Sequence, residues 1–489
     1  MELQHPWRCR AVLHRPSLRR GVQQGGWRHH SSWIPPAPAP HPCVSGCRRP
    51  ARLGTGPRKQ FRLGTAAFIA GIQIFKTILW IVLSLPRENK SDHCARSWSD
   101  LPWDLLDRIL QHLELPGALA VAAVCTSWRS AAVASGVRSG TPWLVSRESE
   151  PLTKTKGSEF RNVLDPDKIH MVSYPQGRRN LSWCGASHGW LIASDELSNL
   201  LFCNPFTLAM IPLPPITDLE CVEGVYDNDR SIAGYYYGNS DKLISPPDYI
   251  GRWFYQKVVL SSDPSTSHDG GDYIAMAIYG NNQVSFARAR ENSWRHGTAL
   301  SEMGKDSYAD CVYHNGRFYT VTMCGVVETW DLNKEPAHEP NKQVIIAGGD
   351  GRYRRILTRF LVSTPWGCLL QIRTQHRNDH PRKVMVEVFE VNVEEHKLVR
   401  LSSATAFQEH AVFVGLNESV CLHTKDYKEL RPNHVYFATP WLTQEANFGL
   451  RGWKGVVIYD LENQTFEEVL PASKYSAFCP QQVWFIPNI

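Results

Sequence analysis

The sequence lacks the local patterns that carry most enzyme chemistry. No His-Glu-x-x-His run offers two imidazoles and a base to zinc, and no Gly-rich loop with a following Lys and Ser or Thr cradles a phosphate. The closest cysteine pair, Cys43 and Cys47, has no second pair to complete a tetrahedral zinc site. The 13 cysteines are odd in number and scattered, which argues against a secreted disulfide framework. They read as small apolar side chains in a reducing compartment, cytoplasm and/or nucleus. Acid is almost absent from residues 1–62, where 12 Lys or Arg stand against Glu2 alone. The other residues hold 41 basic and 46 acidic side chains, so the basic pI of the whole chain gives no case for a nucleic-acid partner. Beyond residue 142 no long amphipathic helical period appears. Neither a catalytic role nor a cofactor is expected.

What is present divides into four stretches. Residues 1–62 are rich in Arg, Pro and Gly, with Pro35-Pro36-Ala37-Pro38-Ala39-Pro40 in the middle, and read as a disordered basic region or a transit-type leader. Residues 63–97 hold an apolar segment and a polar linker. The segment 66–85 is long enough to span a bilayer as a helix. Lys76 near its middle costs about 2.5–3.5 kcal/mol there. The preceding basic residues would also carry the following domains across the membrane. Residues 98–142 form a compact helical block. Residues 143–489 are short β-like runs broken by Gly, Pro, Asn and Asp. The 17 Trp and the aromatic share of 11% suit that β content.

In the helical block, Leu101, Leu105, Leu106, Ile109, Leu110 and Leu113 recur at helical spacing. Ser99 and Asp100 offer acceptors at the start, Pro102 is tolerated in a first turn, and Pro116-Gly117 ends the helix. A second helix is expected from Ala118, burying Leu119, Val121, Ala122, Val124 and Cys125 and continuing through Trp128 and Ala132. So few helices make a poor independent core, and apolar side chains left outside would gain by docking on another protein. Leu101-Pro102, Ile109-Leu110, Leu113 and Val124-Cys125-Thr126-Ser127-Trp128-Arg129 together resemble the F-box family over about residues 98–140. The resemblance implies binding to the Skp adaptor and, through it, the cullin of an SCF-type cullin–RING ubiquitin ligase. Leu101, Pro102, Leu105, Ile109, Leu110, Leu113, Val124 and Trp128 are the residues expected to serve that docking, some as contacts and some as core.

Two run types alternate through 143–489. One follows a Gly or turn residue, as in Gly189-Trp190-Leu191-Ile192, Gly316-Arg317-Phe318-Tyr319 and Gly367-Cys368-Leu369-Leu370, and reads as an inner strand. The other ends in Asn or Asp, as in Leu201-Phe202-Cys203-Asn204 and Val327-Glu328-Thr329-Trp330-Asp331. Units of about 40–50 residues with four strands suit propeller blades. The chain is thus expected to be mainly β with a small α domain in front, and the propeller to have six or seven blades. A β-sandwich pair is the fold alternative. Ser187-His188-Gly189-Trp190-Leu191, Asn204-Pro205-Phe206, Ser363-Thr364-Pro365-Trp366-Gly367 and Leu430-Arg431-Pro432-Asn433-His434 carry a resemblance to the plant KIB-type β-propeller family. That resemblance implies a domain that binds a protein substrate, and for some members a protein kinase.

Ser187-His188 reads as a satisfied turn pair rather than a nucleophile with its base. The basic stretches around Arg352, Arg354, Arg355 and Arg359, and Arg373, Arg377, Arg382 and Lys383, read as solvated loops. The function expected is substrate recognition for a ubiquitin ligase. The alternatives are a stand-alone binding module, for example one that occludes a kinase, a propeller enzyme, and a membrane-anchored protein using 66–85.

Overall fold

The computed structural model describes residues 101–487 apart from short internal segments, the longest of which are 439–455 and 471–481. All described residues belong to one compact unit, Ala66–Ile489. The readings for 1–62 and 66–85, for Ser99, Asp100 and Leu119, and for Arg352, Arg354, Arg355, Arg377, Arg382 and Lys383 fall outside the described residues.

The first helix, α1, spans Trp103–Gln111. Its first turn is closed on Pro102, whose carbonyl accepts the N–H groups of Leu105 at 3.1 Å and Leu106 at 3.2 Å. Pro102 therefore sits just ahead of the helix, where its missing N–H costs nothing. Asp104 in the first turn and Arg108 in the last complement the helix dipole. Leu106, Ile109 and Leu110 form the inward stripe and pack against Val121, Ala122, Trp128, Ala131 and Ala132. The expected continuous second helix is interrupted. Val124 N–H donates to Val121 O at 3.1 Å in a turn, and a new helix, α2, starts at Thr126 and runs to Ala134. The β-branched Val124 and Thr126 flank the break, and such residues are poor helix formers. Val124, expected in the core, is 57% exposed as a result, and Cys125 is half-buried.

The β region is a propeller of six blades, which decides between the expected six and seven and excludes the sandwich. Blade I holds Ser182–Ser187, Trp190–Ser194, Leu200–Cys203 and Met210–Pro212 in that spatial order. Blade II runs Tyr255–Leu260, Ile274–Tyr279, Gln283–Arg288 and Arg295–His296, and blade III Tyr308–His314, Arg317–Thr322, Val326–Asp331 and Asn341–Ala347. Blade IV runs Ile356–Ser363, Leu369–His376, Val384–Asn392 and Lys397–Arg400. Blade V has five strands in the order Val420–His423, His410–Gly415, His434–Ala438, Val456–Asp460 and Thr465–Leu470. Its pairing of His410–Gly415 with His434–Ala438 is parallel, whereas every other described strand pair is antiparallel. Blade VI is built from both ends of the β region: Val483–Phe485 pairs with Trp143–Arg147, which continues to Gly157–Asn162 and Ile169–Ser173. Residues 143–145 thus wait for the last strand before their blade is complete.

First strands of successive blades touch around the ring, except that blade V meets Val483–Phe485 of blade VI through His410–Gly415. This corrects the sequence reading of Gly189-Trp190, Gly316-Arg317 and Gly367-Cys368 as openings of inner strands. Trp190–Ser194, Arg317–Thr322 and Leu369–His376 are second strands, reached from the true inner strands by tight turns. His188 and Gly189 have φ of 49° and 78°, and Asn315 and Gly316 have 47° and 81°. Two successive positive φ values make the type I′ turn whose twist matches a hairpin.

The near-continuous apolar runs follow from the stacking of blades. Successive side chains on a strand point to opposite faces, and here each face meets a neighbouring blade. In blade II, Val258 and Leu260 pack toward blade I while Val259 packs toward blade III. In blade IV, Phe360 and Val362 face blade V and Leu361 faces blade III. In blade V, Ala411 and Phe413 meet Leu144 and Trp484 of blade VI. Trp143, Val145 and Phe485 of blade VI meet Trp183 and Leu191 of blade I and close the ring.

Candidate partner-docking sites

The helical block sorts the eight sequence-predicted docking residues into two groups. Ile109, Leu110 and Trp128 are 1%, 5% and 3% exposed and belong to the block's own core. Leu101, Leu105 and Leu113 are half-buried at its margin, and Pro102 and Val124 are exposed. Trp103, which the periodicity argument passed over because it lies off the inward stripe, is 47% exposed. An indole and a branched side chain held in water, beside a core already closed by other residues, leave apolar area that another protein could cover. Each such side chain gains about 1.5–3 kcal/mol on full burial.

The propeller axis contains charge that no local sequence pattern signalled. Lys257 and Asp310 are 2% and 1% exposed, with Lys257 Nζ 2.7 Å from Asp310 Oδ1. Nζ also donates to the carbonyls of Gly415 at 3.0 Å and Asn417 at 2.5 Å. Asp310 Oδ2 accepts the N–H of Leu361 at 2.8 Å. One ion pair therefore ties blades II, III, IV and V. The loop after Gly415 extends the network: Glu418 N–H donates to Ala186 O at 2.8 Å, and Ser187 Oγ donates to Glu418 Oε2 at 2.5 Å. Ser187 Oγ also accepts Leu260 N–H at 3.2 Å. Burial pushes the carboxyl of Asp310 and that of Glu418 above the ordinary range, against the pull of Lys257 on the first and of His188 and Ser187 on the second.

This network binds blades together and does not form a nucleophile. His188 Nε2 lies 3.8 Å from Glu418 Oε2, so Ser187 and His188 both face one carboxylate instead of each other. Among the described residues no group of three or more His, Cys, Asp or Glu is arranged to hold a metal. Burial pushes the Cys203 thiol up to about 11, which suits inert packing.

Two of the arginines read as solvated are buried. Arg359 is 1% exposed, with Nε donating to Met323 O at 3.0 Å and a terminal nitrogen to Gln371 Oε1 at 2.9 Å. Arg373 is 8% exposed, donates to the same Gln371 oxygen at 2.6 Å, and lies 4.1 Å from the centre of the Phe389 ring. Their sequence spacing on adjacent strands of blade IV, where Arg359 pairs with Arg373, hides this inward role. The apolar neighbours on those strands were the available signal.

Comparison with known proteins bears on both parts of the chain. Residues 98–136 match the F-box domain family, and residues 160–460 match the KIB1-4 beta-propeller family. The chain is similar to the putative F-box protein At4g22170 of Arabidopsis thaliana, at 32% identity over 399 residues, covering 81% of this chain and 98% of that protein. It is also similar to the probable F-box protein At4g22165 of the same plant, at 23% identity over 407 residues, 82% of this chain and 99% of that one. A helical block with an F-box match, followed by a six-bladed ring with a KIB1-4 match across most of its length, makes this chain a member of the F-box proteins that carry a C-terminal KIB1-4 beta-propeller.

Proposed function

We propose that the chain is a substrate-recognition subunit of an SCF-type ubiquitin ligase, non-catalytic itself, with the helical block docking a Skp-type adaptor and the propeller holding a protein substrate. F-box proteins serve as such adaptors in general, and the match over 98–136 supports that role here. The observation that carries the reading is the division within the block. Leu106, Ile109, Leu110 and Trp128 close a core, while Pro102, Trp103 and Val124 remain outside it. Holding a substrate beside the ligase raises its effective concentration and makes ubiquitin transfer effectively intramolecular. Cytoplasm or nucleus, where a reducing environment keeps thiols free, is the location that this role requires.

The test is retention of a purified Skp adaptor by the full chain, beside a Trp103→Ala, Val124→Ser variant. Adaptor binding by the wild type, with at least about a tenfold loss in the variant and an unchanged thermal midpoint, is the expected result; a tenfold loss corresponds to about 1.4 kcal/mol. Absence of binding by the folded wild type would reject the ligase role and favour a stand-alone binding module.

A further inference from the structure

The connection from blade I to blade II is 42 residues long (213–254), whereas those into blades III, IV and V span 297–307, 348–355 and 401–409. Connections in compact domains have a median of about 4–6 residues. The long one folds into its own two-stranded sheet, Val222–Tyr226 with Ile232–Tyr237, and a short helical turn at Pro247–Ile250. It is pinned to the ring. Tyr235 Oη donates to Leu197 O at 2.5 Å and Trp294 Nε1 to Pro214 O at 3.0 Å, while Gly251 N–H donates to Ser198 Oγ at 2.7 Å. A pinned insertion presents its outer side chains in fixed positions, so little ordering cost remains when a partner binds.

Those outer side chains are unusual. Tyr226 is 58% exposed, Ile244 50% and Tyr249 46%, and Leu197 in the adjoining turn is 39% exposed. These are four of the nine large apolar side chains left exposed among the described residues. The Tyr249 ring meets that of Trp253 edge-on at 6.4 Å, and Trp253 meets Tyr237 edge-on at 5.3 Å, so the rings brace one another. The same 42 residues hold seven carboxylates and three basic side chains, and Glu220, Glu223, Asp227 and Asp229 are exposed. Arg252 is engaged with Asp248. Aromatic faces and carboxylates both attract cations, and a guanidinium or ammonium on such faces also shields their apolar area.

We propose that the described parts of this insertion, 213–238 and 244–254, form a docking surface for a Lys- or Arg-rich segment of the partner protein, with apolar residues between its cations. Resting on the substrate-recognition reading above, this assigns that reading a substrate chemistry. The cations lie over Tyr226 and Tyr249 and opposite Glu220 and Glu223, and the intervening apolar side chains cover Ile244 and Leu197.

The test uses the full chain and a short fluorescein-labelled peptide alternating Arg with Leu, read by anisotropy, beside a Glu–Leu counterpart. The Arg–Leu peptide binds, the Glu–Leu peptide does not, and Tyr226→Ser, Tyr249→Ser weakens binding about tenfold or more. Glu220→Gln, Glu223→Gln reduces the salt dependence, since exposed charge attraction is screened. Both variants alter exposed side chains and retain the wild-type melting curve. Failure of the wild type to bind the basic peptide, equal binding of the acidic one, or wild-type behaviour of both variants overturns the proposal. So does a self-associated chain that Tyr226→Ser, Tyr249→Ser converts to a monomer, because the patch would then belong to a second copy. Adaptor retention measured on the same samples reports on the F-box role separately, so failure of either reading is visible without the other.

Discussion

Replacing Lys257 by Met would leave the Asp310 carboxylate inside the ring with backbone N–H donors alone. Removing one partner of a buried pair costs about 3–5 kcal/mol, because the remaining charge stays desolvated. The midpoint of a urea unfolding curve should fall accordingly, and Asp310→Leu added to Lys257→Met should recover much of the loss. Glu418 makes a second, pH-dependent case. Burial raises its carboxyl above the ordinary value of 4.5. A raised carboxyl means that the folded chain holds the proton more tightly than the unfolded one. Its contribution to stability is then present below the unfolded pKa and is lost as pH rises through the folded pKa. Glu418→Gln keeps an oxygen to accept from Ser187 and should flatten that part of the pH profile, with neutral-pH stability equal or higher. Thermal midpoints at mildly acidic and neutral pH check it, and an unaltered profile would remove Glu418 as the source. Neither residue was legible in the sequence. Lys257 in Tyr255-Gln256-Lys257-Val258 resembles any polar position on a strand, and its acceptor Gly415 is 158 residues away.

At the scale of elements, the sequence showed strand content well and strand position poorly. Leu191, Tyr319 and Leu369 are recognisable as strand residues because their runs are apolar and bounded by turns. Their blades bury both faces of first and second strands alike, so composition cannot say which lies nearer the axis. The helical block behaved differently: one face is wet, and the periodicity of Leu106, Ile109 and Leu110 placed the core correctly. The same periodicity, extended through Val124, missed the turn between the helices and so buried a residue that is exposed. The turns themselves yield a prediction. Gly316 has φ of 81° and open space where a side chain would stand, so only its backbone conformation resists substitution. Gly316→Val should cost at least about 1–2 kcal/mol, the penalty for an L-residue in the left-handed region. Gly316→Asn should cost less, because Asn tolerates that region. Chemical denaturation of the two variants distinguishes conformational strain from a packing clash, which would penalise both.

On the whole-molecule scale, stability depends on a strand pairing that spans the β region. Trp143, Leu144 and Val145 pair with Phe485, Trp484 and Val483, and the last three are all at most 1% exposed. Phe485 packs edge-on to Phe160 at 5.8 Å, and Trp484 meets Phe413 of blade V at 5.1 Å. The short strand thus covers blade VI and seals its junctions with blades V and I. Removing a buried Phe or Trp side chain costs about 3–5 kcal/mol, and a domain holds only about 5–15 kcal/mol in total. A chain ending at residue 482 loses both rings, Val483 and the backbone bonds to 143–145. It should therefore fail to form a closed ring, seen as rapid proteolysis between blades and a broadened or absent melting transition. Trp484→Ala is the milder counterpart, expected to melt earlier while remaining cooperative. Because the helical block keeps its own core, the truncated chain should still retain the adaptor to some degree while losing the basic peptide. Equal loss of both activities would mean that the block depends on the closed ring for its fold.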